Sequence, residues 1–146
     1  RALVEKGYAS SMEKAFQGYL QYGGKYCLRK ELITPERAMK VLTGNQAFPA
    51  LAHPGLYRLG WEATEDLIAY LTELGMKGLE VYHSSHNSFQ SGKLRTLARQ
   101  YGLLPTGGSD FHGSNKPDIS IGTGRGGLRL SDLLLEDIEK AISSYS

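Results

Sequence analysis

The stretch Thr64–His83, TEDLIAYLTELGMKGLEVYH, carries two periodicities from which the fold class follows. Leu67, Ile68, Leu71 and Leu74 recur at three- and four-residue spacing, which predicts an amphipathic helix from Thr64 to Leu74. Gly75 stops it, because glycine adopts the left-handed conformation that closes a helix at little cost. Leu79 to Tyr82 then reads as a short buried strand that ends at His83. The same unit repeats on either side. Phe48 to Ala52 predicts an earlier strand ending at His53. A later helix carries Leu94, Leu97, Ala98 and Tyr101 on one face, Gly102 closes it, and Leu103 to Thr106 predicts a third strand. Such alternation is the pattern of βα units around a parallel sheet, so the chain is α/β. A final helix capped by Ser131 is expected to turn Leu134, Leu135, Ile138 and Ile142 inward.

The opening third has a different rhythm. Ser10 and Glu13 stand at capping-box spacing and predict a helix to about Tyr22, stopped by Gly23-Gly24. Thr34-Pro35-Glu36 pairs a capping hydroxyl with a proline at the first helical position and predicts a second helix to about Leu42. The organisation is therefore a helical segment over residues 1–45 followed by βα units over 46–146. Three parallel strands do not close a barrel, and such a sheet exposes unpaired backbone groups at both edges. A larger parent fold would cover them.

Composition narrows the function classes. The chain has 146 residues, 40% hydrophobic and 22% charged, which is the balance of one globular domain. The formal net charge is only +2 and the basic residues are scattered, which argues against a duplex-DNA-binding surface but leaves room for a local phosphate pocket. Cys27 is the only cysteine, so there is no internal disulfide framework, and a reducing, cytoplasmic setting is expected. No apolar run approaches the ~18 residues needed to span a bilayer, and Arg1–Lys6 is not a signal peptide. No membrane partner is expected.

All four histidines follow predicted strands. His53 ends the first in LAHPG, His83 and His86 follow the second, and His112 follows the third in GGSDFHG. In parallel α/β folds, ligands gather at the carboxyl ends of strands, where loops converge without disturbing the core. Asp110 and His112 are two residues apart, so an extended backbone would send both side chains to one side and turn Phe111 toward the core. A carboxylate oxygen and an imidazole nitrogen facing one cavity suit zinc, manganese or iron. His83 and His86 are candidates for contact with a substrate phosphate or for orienting a ligand, while Ser85 and Asn87 read as caps of the following helix. Gly122–Gly127 satisfies G-x-G-x-x-G but does not open into a helix, as a dinucleotide site requires. It reads as a loop, with Lys116 and Arg125 as candidate phosphate contacts.

Taken together, Leu51–Gly55, Leu79–Ser84 and Gly107–Gly113 resemble the last three sequence blocks of the PHP (polymerase and histidinol phosphatase) family of metal-dependent phosphoesterases. The order and spacing match, and the opening helices resemble the helical insertion of its stand-alone members. The resemblance implies part of a distorted (βα)7 barrel whose strand ends hold up to three divalent metal ions, manganese, zinc or iron. It also implies hydrolysis of phosphate esters by a metal-activated water, with His53, Asp110 and His112 as metal ligands and no separate catalytic residue. Nucleotide or oligonucleotide 5' phosphoesters are the expected substrates, with a histidinol-phosphatase-type activity or a metal-free binding module as the alternatives. The family's H-x-H block and bridging Glu have no counterpart in this sequence. The expected partner is therefore a missing N-terminal half of the barrel, and the isolated chain is expected to be inactive.

Overall fold

The computed structural model describes residues 1–24, 26–27 and 32–144. By compactness the chain divides into two units, Arg1–Ile33 and Thr34–Ser146. The first contains two short helices, α1 (Ala2–Glu5) and α2 (Met12–Ala15), the latter running on into a π turn over Phe16–Leu20. The cap of α2 is Ser11 rather than Ser10. The Ser11 hydroxyl accepts the amide of Lys14 at 3.1 Å. That one-residue shift puts Lys14 where the capping box needs an acid, and Glu13 instead accepts the Gln17 amide at 2.9 Å. Extended backbone at Gln21 ends the helical run short of Tyr22.

In the second unit, α3 (Pro35–Gly44) starts as its sequence dictates, with Thr34 accepting the amide of Arg37 and Pro35 in the first turn. Then follow β1 (Ala50–Leu51), α4 (Trp61–Glu73), β2 (Gly78–His83), α5 (Ser88–Gln100), β3 (Leu104–Gly108) and α6 (Leu133–Ser143). The three strands are parallel in the order β1-β2-β3. β1 is shorter than Phe48–Ala52 because the ladder pairs only Ala50 with Gly78 and Leu51 with Leu79, although the Pro49 carbonyl already accepts the amides of Lys77 and Gly78. Gly75 and Gly102, with φ of 101° and 64°, follow α4 and α5 as expected. α5 begins in a complete capping box between Asn87 and Gln90, each side chain bonding the other's backbone amide.

The core lies between β2 and the helices on either side of it in sequence. Ile68, Leu79, Val81 and Leu94 have no exposed surface, and Leu71, Leu97, Ala98, Leu103 and Met39 of α3 join them. Each fully buried aliphatic side chain contributes about 1.5–3 kcal/mol. α6 departs from expectation. Leu134 and Ile138 are half-buried, but Leu135 and Ile142 are exposed, and no residue of the helix is fully buried. The helix packs against β3, and half of its apolar residues, Leu133, Leu135 and Ile142, remain exposed. Among the described residues, no helix is long and apolar enough to cross a membrane.

Candidate functional site

The carboxyl ends of β1, β2 and β3 carry the chemistry. His53 follows β1 in a left-handed conformation, φ 34° and ψ 52°, and leads into a single helical turn at Pro54–Leu56. A residue before proline favours extended backbone, so this geometry costs about 1–3 kcal/mol and needs outside support. The support is Glu80 on β2, whose Oε2 accepts the His53 amide at 2.6 Å. Tyr57 sits edge-on to the His53 ring, and its hydroxyl donates to the Ala52 carbonyl at 2.7 Å. Burial, and then the charge of Glu80, push the Tyr57 phenol above its ordinary range.

His83 ends β2 with a side chain only 1% exposed. Its ring lies 5.5 Å from that of His53 and 5.2 Å from that of His86, so three imidazoles stand in a row. Their tautomers follow from their partners. His83 Nδ1 accepts the Ser85 amide at 3.0 Å, which places the proton of the neutral ring on Nε2. His86 Nδ1 meets the Val81 carbonyl at 3.1 Å and must donate, which leaves Nε2 as a lone pair. Burial holds His83 below the usual imidazole pKa, with the charges of Glu80 and Asp110 opposing the effect and His86 and His53 adding to it. Among the described residues, His53 Nδ1, His83 Nε2 and His86 Nε2 are buried without a hydrogen-bond partner.

β3 stops at Gly108, and the following turn is not extended. Asp110 is left-handed, with φ 58°, a conformation that aspartate tolerates better than most residues. The turn, rather than strand alternation, joins Asp110 to His112, whose Nδ1 donates to the Asp110 carbonyl at 2.8 Å and lies 3.4 Å from Oδ1. Phe111 consequently faces outward, 46% exposed, instead of entering the core. The Lys116 ammonium binds Asp110 Oδ2 directly, and this bond above all holds the Asp110 carboxyl below its ordinary pKa. His83 Nε2 approaches the same oxygen at 3.5 Å. The structure thus brings Asp110 and His112 together, and His53 connects to them through His83.

The glycine-rich segment folds back over this rim. Ser120 and Gly124 form an isolated antiparallel bridge, and Gly124, with φ 58°, leaves no room for a side chain, since a Cβ there would lie 2.5 Å from Cβ of Ser84. Ser84 in turn donates to the Ser109 carbonyl. This close approach brings Arg125 to Ser85, at 3.1 Å from its hydroxyl, while Asp118 holds the guanidinium Nε at 2.7 Å. His83, His86, Ser88, Arg125 and Arg129 line a cleft of about 450 Å³, a size suited to a small ligand.

Two residues of this site escape a reading of sequence alone. Glu80 is an acid within an apolar strand, between two fully buried neighbours, and that misplacement is its signal. Arg129 lies in a stretch that reads as a featureless loop, and only the fold puts it on the cleft. For a divalent metal, the partnerless nitrogens of His53 and His86 and the Asp110 carboxylate are donors of the right kind, whereas His83 Nε2 carries the ring proton. Their number is short, since no group of three or more His, Cys, Asp or Glu among the described residues is arranged to hold an ion.

No family model matches the chain. It is 36% identical over 112 residues to the 5'-3' exoribonuclease Rnm of Escherichia coli (strain K12), covering 77% of this chain and 38% of that protein. It is 30% identical over 122 residues to a 3',5'-nucleoside bisphosphate phosphatase of Chromobacterium violaceum, covering 84% and 43%. A crystal structure from Bifidobacterium adolescentis, described as a metal-dependent phosphoesterase, superimposes with a TM-score of 0.66 at 28% identity, over 94% of this chain and 46% of that one. The chain spans about two fifths of the length of the curated relatives it matches.

Proposed function

This chain belongs to the PHP family of metal-dependent phosphoesterases, and on that premise we propose that it supplies part of a divalent-metal centre that hydrolyses phosphate esters of nucleotides or short oligonucleotides. The observation that carries the reading is the row of buried imidazoles beside Asp110, in which His53 Nδ1 and His86 Nε2 have no hydrogen-bond partner among the described residues. Leaving such groups unsatisfied costs about 1–3 kcal/mol each, so their retention at a strand rim points to a ligand that satisfies them.

His53, Asp110 and His112 are the proposed ligands for manganese, zinc or iron. When bound, such a cation supplies Lewis-acid stabilisation of charge on the phosphate oxygens and acidifies water. The chain's own residues set the stage for that chemistry. His83, with its proton on Nε2, faces Asp110 and fixes the direction of the carboxylate. His86 presents a lone pair to the cleft. Arg125, pre-oriented by Asp118 and Ser85, and Arg129 offer guanidinium donors to the non-bridging oxygens of a phosphate. Lys116 neutralises Asp110, a role that a bound cation would share. Ser109 bonds through its carbonyl, and among the described residues no base is paired with its hydroxyl, so the proposal includes no covalent nucleophile.

The shortage of donors carries a second part of the proposal, namely that further ligands come from a barrel half outside this chain and that the chain alone turns over little substrate. Chelator-sensitive hydrolysis of phosphate monoesters by the purified chain would refute that part. For the complete protein, metal analysis with assays on nucleoside monophosphates, 3',5'-bisphosphates, short RNA and histidinol phosphate tests the rest. Asp110→Ala should abolish metal loading and turnover together. The same shortage favours one competing reading, a PHP-like binding module without metals. An intact but metal-free complete protein would establish that alternative.

A further inference from the structure

We propose that Glu80 is a positioning residue of the rim: its carboxylate holds the main chain of His53 in the left-handed conformation that presents the imidazole to His83. What the imidazole then does rests on the metal-centre reading above, but the positioning itself does not. Strand alternation separates Glu80 from the face of Leu79 and Val81, both fully buried, and leaves its side chain half-buried. A carboxylate in that place is costly unless it is bonded.

Its two oxygens lie beside the ends of the two neighbouring strands. Oε2 accepts the amide of His53, 27 residues away in sequence. Oε1 occupies the space beside Gly108 at the end of β3, where a Cβ would come within 3.2 Å of it. A single side chain on the central strand thus bonds the turn after β1 and lies beside the end of β3. The conformation it holds is the one His53 would not choose before Pro54. The His53 carbonyl completes the arrangement by accepting the amide of Leu56 at 3.0 Å, which closes the turn. The Glu80 charge also reaches Tyr57, where it adds to the upward push of burial, and His83, where it opposes the burial that holds the ring below its ordinary range. With one oxygen on a backbone amide and the other against a main chain, Glu80 acts through His53 rather than on a ligand of its own.

Three variants of the chain test this. Glu80→Gln keeps an oxygen acceptor for the His53 amide, Glu80→Ala removes it, and Gly108→Ala displaces it without deleting the carboxylate. Amide hydrogen exchange of His53 by NMR and Zn²⁺ titration by calorimetry are the readouts. In Glu80→Ala the His53 amide should exchange at least about tenfold faster and Zn²⁺ affinity should fall about 10–100-fold, the usual cost of losing a partner that orients a ligand. Glu80→Gln should stay within about threefold of the parent in both, and Gly108→Ala should shift both in the direction of the alanine variant. Unchanged His53 exchange in Glu80→Ala and Gly108→Ala would overturn the proposal. So would a glutamine variant as impaired in Zn²⁺ binding as the alanine one, since the charge and not the hydrogen bond would then matter. If no form of the chain binds Zn²⁺, the metal reading fails for this chain, while His53 exchange still decides the positioning role.

Discussion

The rim has two halves built on opposite principles. At the ends of β1 and β2, His53, His83 and His86 bury imidazole nitrogens that nothing in the described protein satisfies. After β3, Asp110, His112 and Lys116 bond one another, with His112 54% exposed and Lys116 42% exposed, so the carboxylate is already paired, and His83 reaches the group only at 3.5 Å. One half needs a ligand to recover what burial costs. The other is content without one and must exchange a partner to accept one. The difference teaches that a cation bound as proposed would meet unbonded imidazole nitrogens in the inner half and would have to compete with Lys116 for Asp110 in the outer half.

The deepest break in that contrast should come from beneath the inner half. Leu79→Ala, at a fully buried position on β2, should cost about 2–5 kcal/mol of stability, read by urea denaturation. An outer-rim change such as His112→Ala should cost under about 0.5 kcal/mol, as surface substitutions do. Next in size, Asp110→Asn should weaken binding of Mn²⁺ or Zn²⁺ about 100-fold by calorimetry, because it removes the one anionic oxygen shared by both halves. His83→Gln should weaken it about tenfold, through loss of the orienting contact. A larger effect for His83 than for Asp110 would reverse the proposed division of labour.

The smallest effect sharpens the outer half. The Lys116–Asp110 pair is partly exposed, so Lys116→Ala should change stability by less than about 1 kcal/mol. The sign of its pH dependence is fixed. Asp110 has a depressed pKa, so its pairing stabilises the fold above the ordinary carboxylate range and the contribution is lost as pH falls through the depressed value. In Lys116→Ala the Asp110 titration should move up toward the ordinary range, followed by carboxyl ¹³C NMR, and cation affinity should rise a few-fold, as expected when a competing charge is removed.

How much of this is legible in the sequence depends on which periodicities the fold reinforces. The α4 and α5 stripes are readable because Ile68, Leu71, Leu94 and Leu97 meet a common partner in β2. The caps at Thr34 and Asn87 are readable because a side-chain oxygen and the amide three residues on form a local pair. The outward set of α6 is not, since periodicity marks an apolar stripe without saying how much surface lies opposite to cover it. The Asp110–His112 pairing is readable as an association but not as a geometry, because alternation holds only while the strand lasts and β3 ends two residues earlier. Glu80 and Arg129 depend on contacts 27 or more residues away or on the path of a loop, which a sequence window does not contain.

The sheet's two borders differ in what each could offer a further strand. β1 offers a ladder of only two residues, too short to guide a further strand into register. β3 offers five, but Pro105 within it has no amide hydrogen to give. A strand laid alongside β3 would therefore meet one position that donates nothing.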